Sequence, residues 1–141
     1  MSHILAILLA YAASALGVEP ASELPSVEVL PKAELAAELN AGANAAADDA
    51  LEPAALYDPL ANRIRISDDL DLESPVGRSY LLHELVHHLQ FAHGQDADSC
   101  VGRLEAEAYR VQARYLREHD FQEEANRQMI LGLLLDGCER R

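Results

Sequence analysis

Basic side chains are scarce in this sequence of 141 residues: one lysine and ten arginines stand against 24 acidic groups, for a formal net charge of -13. Such a chain repels nucleic acid and anionic membrane surfaces, which excludes a polyanion-binding role. Long apolar runs are also lacking. The longest, "ILAILLAYAASALG" from Ile4 to Gly17, is too short for an ordinary membrane span. Cysteine is limited to Cys100 and Cys138, enough for one disulfide and no more. No internal repeat is visible, and the length leaves room for one small domain with a modest core.

What is there begins with the N-terminal segment. An uncharged apolar stretch gives way abruptly to the acidic, proline-containing "VEPASELP", and small residues at Ala13 and Ala15 offer a cleavage site after Ala15, with Gly17 as a second option. This is the grammar of a signal peptide over residues 1–17, with a domain over 18–141, although no Lys or Arg precedes the apolar run. The alternatives are a buried N-terminal helix or an uncleaved anchor. Export to a periplasmic or extracellular space would be oxidising, and there the cysteine pair is expected to form a Cys100–Cys138 disulfide; in a cytoplasmic protein it would be two buried thiols.

Further along, "PSVEVLPKAELAAELNAG" reads as a short strand near Val27–Leu30 and a helix from about Lys32 to Asn40, with Gly42 as its stop. The Ala/Asp-rich stretch that follows has no period and reads as a surface loop. In "ALYDPLANRIRIS", β-favouring residues flank Asp58, Pro59 and Asn62, and Ile64 and Ile66 alternate with Arg63 and Arg65, which predicts a hairpin with a half-exposed second strand. Ser74 and Pro75 are an N-cap and first helical residue, and Gly94 a stop, giving a helix over about Pro75–Ala92. Two more helices are expected, from about Ser99 to Glu118 and from Phe121 to Asp136. The fold class is α+β.

Chemistry concentrates in "YLLHELVHHLQFAHG", Tyr80 to Gly94, which holds four of the six histidines. On a helix, His83 and His87 share a face, with Tyr80 and Gln90 near the same direction and Leu82, Leu85, Val86, Leu89 and Ala92 behind. Two imidazoles at i and i+4 with Glu84 beside them are what metal-assisted hydrolysis needs: two nitrogen ligands and a base. His88, four residues after Glu84, either tunes that carboxylate, lines the rim, or is a surface histidine without duties.

A catalytic zinc takes three protein ligands and leaves one position open, so a third must come from elsewhere. His93 would serve if the chain turned back after His87, but Gln90 stands where a turning glycine would be needed. Glu105 and Glu107 point about 200° apart on a helix. Glu107 shares its face with Arg103, Arg110 and Arg114, the pattern of a solvated, salt-bridged surface. Glu105 shares its face with Val101, Ala108, Tyr109, Gln112 and Leu116, which looks inward, where a carboxylate needs a partner. Glu105 is therefore the favoured third ligand, with a helix N-terminal carboxylate as the bland alternative.

With His83, Glu84, His87 and "EAEAY" from Glu105 to Tyr109 in place, the chain resembles the gluzincins, zinc metallopeptidases whose third ligand is a glutamate on a downstream helix. Its layout is similar to small exported bacterial zincin-like proteins. The resemblance covers about Ala55 to Leu116. It implies a minimal zincin-like domain, a Zn²⁺ site of His83, His87 and Glu105, Glu84 as general base, and a peptide or protein substrate. It also implies that the strand "NRIRIS" is the edge that pairs with extended substrate. Tyr109 stands where the family's Asp or Asn orients a ligand histidine; its hydroxyl would act instead on the metal water or an oxyanion. Two rivals remain, a zinc-bound scaffold without turnover and a zinc hydrolase acting on amides or esters other than peptides.

Overall fold

Ser74 and Pro75 set the start of the helix around which the rest of the molecule packs. The Ser74 Oγ accepts the Gly77 N–H at 3.0 Å, and the helix runs Pro75–Ala92. Gly77 is required here, because a Cβ at that position would fall 1.8 Å from the Asp71 carbonyl oxygen. The computed structural model describes residues 1–20, 23–43 and 54–138, with residues 40–43 as backbone only.

Five helices and one three-stranded sheet make an α+β fold: α1 Ser2–Leu16, β1 Ser26–Leu30, α2 Lys32–Ala43, β2 Ala55–Asp58, β3 Arg63–Ser67, α3 Pro75–Ala92, α4 Val101–Glu118 and α5 Gln122–Leu135. A short 3₁₀ turn, Gln95–Ala97, joins α3 to α4. The boundaries of α3, α4 and α5 lie within two residues of those expected from the sequence. α2 continues past Gly42, and the Ala/Asp-rich loop falls largely at 44–53, outside the described residues.

The hairpin forms as expected. β2 and β3 pair antiparallel, and the Asp58 side chain closes the turn by accepting the Leu60 N–H at 3.0 Å. Asn62 takes a positive φ of 48°, which its short polar side chain tolerates. The strand order is β1-β3-β2, with β1 parallel to β3. "NRIRIS" is therefore the central strand, not the edge; the edge on the α3 side is β2. The expectation fails because β1, 37 residues away in register, supplies a second partner for β3 that no local pattern reveals.

α3 carries no clean polar front. Leu81, Leu82, Leu85, Val86 and Leu89 are fully buried, and so are His88 and Gln90, while Ala92 at the end is exposed. β2, β3, α4, α1 and the 3₁₀ turn pack against it. α1 buries Leu5, Leu8, Leu9, Ala12 and Ala13, a stripe at helical spacing, within the same core as Ile64, Ile66, Leu85 and Leu89. Tyr11 anchors that helix to α4 by an edge-on contact with Tyr115 at 5.3 Å and a hydrogen bond to Glu118.

Cys100 and Cys138 form a disulfide with Cα atoms 5.7 Å apart, tying the start of α4 to the segment after α5. A disulfide belongs to an oxidising environment. Among the described residues, no helix is long and apolar enough to cross a membrane.

Candidate metal centre

Three ligand atoms, one each from His83, His87 and Glu105, lie within 4.8 Å of one another. The first two come from successive turns of α3 and the third from the first turns of α4. Helix phase decides between the two glutamates: Ala108, Gln112 and Leu116 bury fully on the Glu105 side. Val101 departs from that pattern and is 76% exposed, because α4 has only just begun there. The Glu105 Oε1 is 3.5 Å from His83 Nε2 and in direct contact with His87 Nε2.

Two glutamines fix the imidazoles. The Gln90 amide nitrogen donates to both the Leu104 carbonyl, at 2.9 Å, and the Glu107 carboxylate, at 3.0 Å. Its oxygen must then face His87 Nδ1, 2.8 Å away, which carries the proton. Gln112 repeats the arrangement from α4: its nitrogen donates to Ser79 Oγ at 3.2 Å, and its oxygen accepts from His83 Nδ1 at 2.9 Å. Both histidines thus commit Nδ1 as donor and present Nε2 to Glu105. With Nδ1 fixed as the donor, loss of the Nε2 proton leaves the tautomer a metal requires, held by hydrogen-bonded partners behind the rings.

Sequence spacing alone does not mark these glutamines as site residues. Gln90 fell near the histidine face and Gln112 on the Glu105 face, and spacing gives no sign that an amide will be aimed at a ring nitrogen. Orienting His83 falls to Gln112 rather than to the residue at Tyr109. Tyr109 lies with its ring edge-on to His83 at 4.5 Å and lines the cleft. Burial, with the charges of Glu105 and Glu84, raises its hydroxyl pKa, so it stays protonated at neutral pH.

Electrostatics follow from burial and convergence. Burial raises the Glu84 carboxyl above the usual range, with the charges of His83 and His87 acting in the other direction. Burial alone would raise Glu105 too, but its hydrogen bonds to His83 and His87 outweigh that and hold it well below the ordinary carboxylate range. The donor set of two imidazole nitrogens and one carboxylate oxygen suits a borderline divalent ion such as zinc.

Other histidines are engaged elsewhere. His88 is buried rather than on the surface, with Nδ1 2.9 Å from the Asn62 side-chain oxygen and its ring against Tyr57. His93 is exposed and donates to the Glu19 carbonyl at 2.8 Å, away from the cluster. Glu107 is half-buried and accepts from Gln90 and Gln95 at 3.0 and 2.8 Å, so it is part of the network behind His87 and not simply a solvated face.

The ligands open into a cleft of about 540 Å³. Tyr80, Glu84 and Tyr109 line it together with Ala54, the β2 residues Ala55, Leu56 and Tyr57, Leu39 of α2, and Gln128 and Leu131 of α5. The chain belongs to the family described as "Domain of unknown function (DUF6647)", whose profile matches residues 1–141. No curated protein and no solved structure matches it.

Proposed function

We propose that this protein is an exported zinc-dependent hydrolase that cleaves peptide bonds, with His83, His87 and Glu105 as metal ligands and Glu84 as general base. The observation that carries the reading is the convergence of both Nε2 atoms on Glu105 while both Nδ1 atoms are spent on glutamine oxygens. A His87–Glu105 ion pair alone would account for one Nε2; the second imidazole, fixed by its own glutamine with Nε2 turned to the same carboxylate, is what favours a shared cation.

A zinc ion at this site would supply Lewis acidity, easing the ionisation of water and polarising a carbonyl. Glu84 lines the cleft beside the ligands and is not one of them. Its raised pKa suits a group that takes a proton from water and returns it to a leaving amine. Tyr109, protonated and on the cleft wall, donates to an oxygen on which negative charge develops. The edge of β2 offers backbone groups along the cleft to an extended peptide.

The test is metal analysis followed by turnover. Purified protein should carry about one zinc per chain, lost on Glu105→Ala. Glu84→Gln should keep its zinc and lose roughly 10²- to 10⁴-fold in peptide hydrolysis. A zinc-loaded wild type that cleaves no peptide, amide or ester spared by the Glu84→Gln protein would replace the hydrolase with a zinc-binding scaffold.

A further inference from the structure

We infer that the cleft selects peptide segments with a large apolar side chain beside the bond to be cleaved, read by Leu131 of α5 and Leu39 of α2; this rests on the hydrolase function proposed above. Leu131 lines the cleft yet is 42% exposed, leaving apolar surface open next to the ligands. Leu134 and Leu135 follow one helical turn on, at 77% and 44% exposure, and Ile130 and Leu133 are exposed beside them, at 55% and 71%. Single exposed leucines are ordinary, but an apolar helix end continuous with a cleft marks a contact surface.

The wall is held in place. Gly132 lets α5 lie against α4, since a Cβ there would be 3.1 Å from the Tyr109 Cβ. At the other end, a Cβ on Gly102 would come within 2.3 Å of the Gly137 carbonyl oxygen and 2.4 Å of that of Leu135, and the Cys100–Cys138 disulfide closes the same junction. Leu131 therefore sits at a fixed offset from Tyr109 and the metal ligands.

Charge narrows the occupant. Among the described residues, the cleft lining includes the carboxylates Glu84 and Glu105 and no Lys or Arg. A glutamate beside the scissile bond would find no Lys or Arg to pair with, the one cation of the zinc-loaded cleft being the metal that Glu105 already ligates, whereas a leucine would cover the exposed wall.

The experiment uses fluorogenic alanine-based peptides with one guest position, leucine, lysine or glutamate, on the zinc-loaded full chain. Leucine should exceed glutamate in kcat/KM by roughly tenfold or more, and Leu131→Asn should erase most of that preference through KM with metal content unchanged. Equal rates across the guests, lysine ahead of leucine, or a preference untouched by Leu131→Asn overturns the inference while leaving the hydrolase standing. If nothing is cleaved, fluorescence anisotropy of the same peptides on Glu84→Gln protein decides: tighter binding of the leucine peptide supports the apolar wall without turnover, and equal or absent binding overturns it.

Discussion

Gln90 holds His87 from within the same helix: its amide oxygen lies 2.8 Å from His87 Nδ1, three residues earlier, and its amide nitrogen reaches across to α4. The position at which a glycine would have turned the chain toward His93 is instead filled by the residue that fixes the His87 ring. Gln90→Leu keeps the volume and removes the hydrogen bonds. It should weaken zinc binding roughly 10- to 100-fold in a chelator competition, the usual effect of losing such a partner. Glu107→Gln should have a smaller effect, because the Leu104 carbonyl still holds the Gln90 nitrogen. Unchanged affinity in Gln90→Leu would mean the ring is held by packing alone.

Zinc binding should be coupled to proton release. Burial disfavours a charged His87, but its hydrogen bond to Glu105 and the charges of Glu84 and Glu105 outweigh this and push its pKa up to about 9. A raised histidine pKa stabilises the metal-free fold below the ordinary value of 6.5, and that contribution is lost as pH rises through about 9. Metal binding runs the other way: the ion must displace the proton, so affinity climbs with pH and levels off above about 9. Calorimetric titrations near neutral pH, in buffers of different ionisation enthalpy, should show close to one proton released per zinc. No release would show that His87 is already neutral in the metal-free protein.

The parts legible in the sequence are those set by local chemistry. Ser74 and Pro75 begin α3, Asp58 and Asn62 make the hairpin turn, and helix phase separates Glu105 from Glu107. What was not legible depends on partners distant in sequence. β1 makes β3 a central strand from far upstream, and Gln112 finds His83 across 29 residues. Glu107 sits among arginines in the charge pattern, yet its carboxylate is claimed by two glutamines from α3 and the 3₁₀ turn. An apolar run such as α1 reads alike whether it is removed or packed, because both uses need the same residues.

The disulfide should contribute to stability more than to the metal site. It closes a 38-residue separation, worth about 4 kcal/mol in the chain-entropy model. The paired variant Cys100→Ser/Cys138→Ser should unfold at correspondingly lower urea, with zinc stoichiometry retained. Equal urea midpoints for wild type with and without reductant would show that the bridge constrains little.

α1 is expected to remain in the folded protein as a packed helix. The sequence supports cleavage after Ala15 or Gly17, but the helix ends at Gly17 in a left-handed cap and lays five buried residues on the core that holds α3. Removing it would uncover Tyr115, against which Tyr11 packs, and part of the α3 surface in the same core. Leu8 is 1% exposed, so Leu8→Ala should destabilise the purified protein by roughly 2 to 5 kcal/mol, the range for truncating a buried leucine. Tyr11→Phe, which keeps the ring contact with Tyr115 and removes the hydrogen bond to Glu118, should cost only about 1 kcal/mol. Intact mass and urea unfolding of protein recovered from its native compartment decide the matter together. A chain beginning at Leu16 or Val18, with full stability and a metal site intact, would assign α1 to export alone. A full-length chain weakened by Leu8→Ala would make it an element of the fold that keeps α3, and with it His83 and His87, in place.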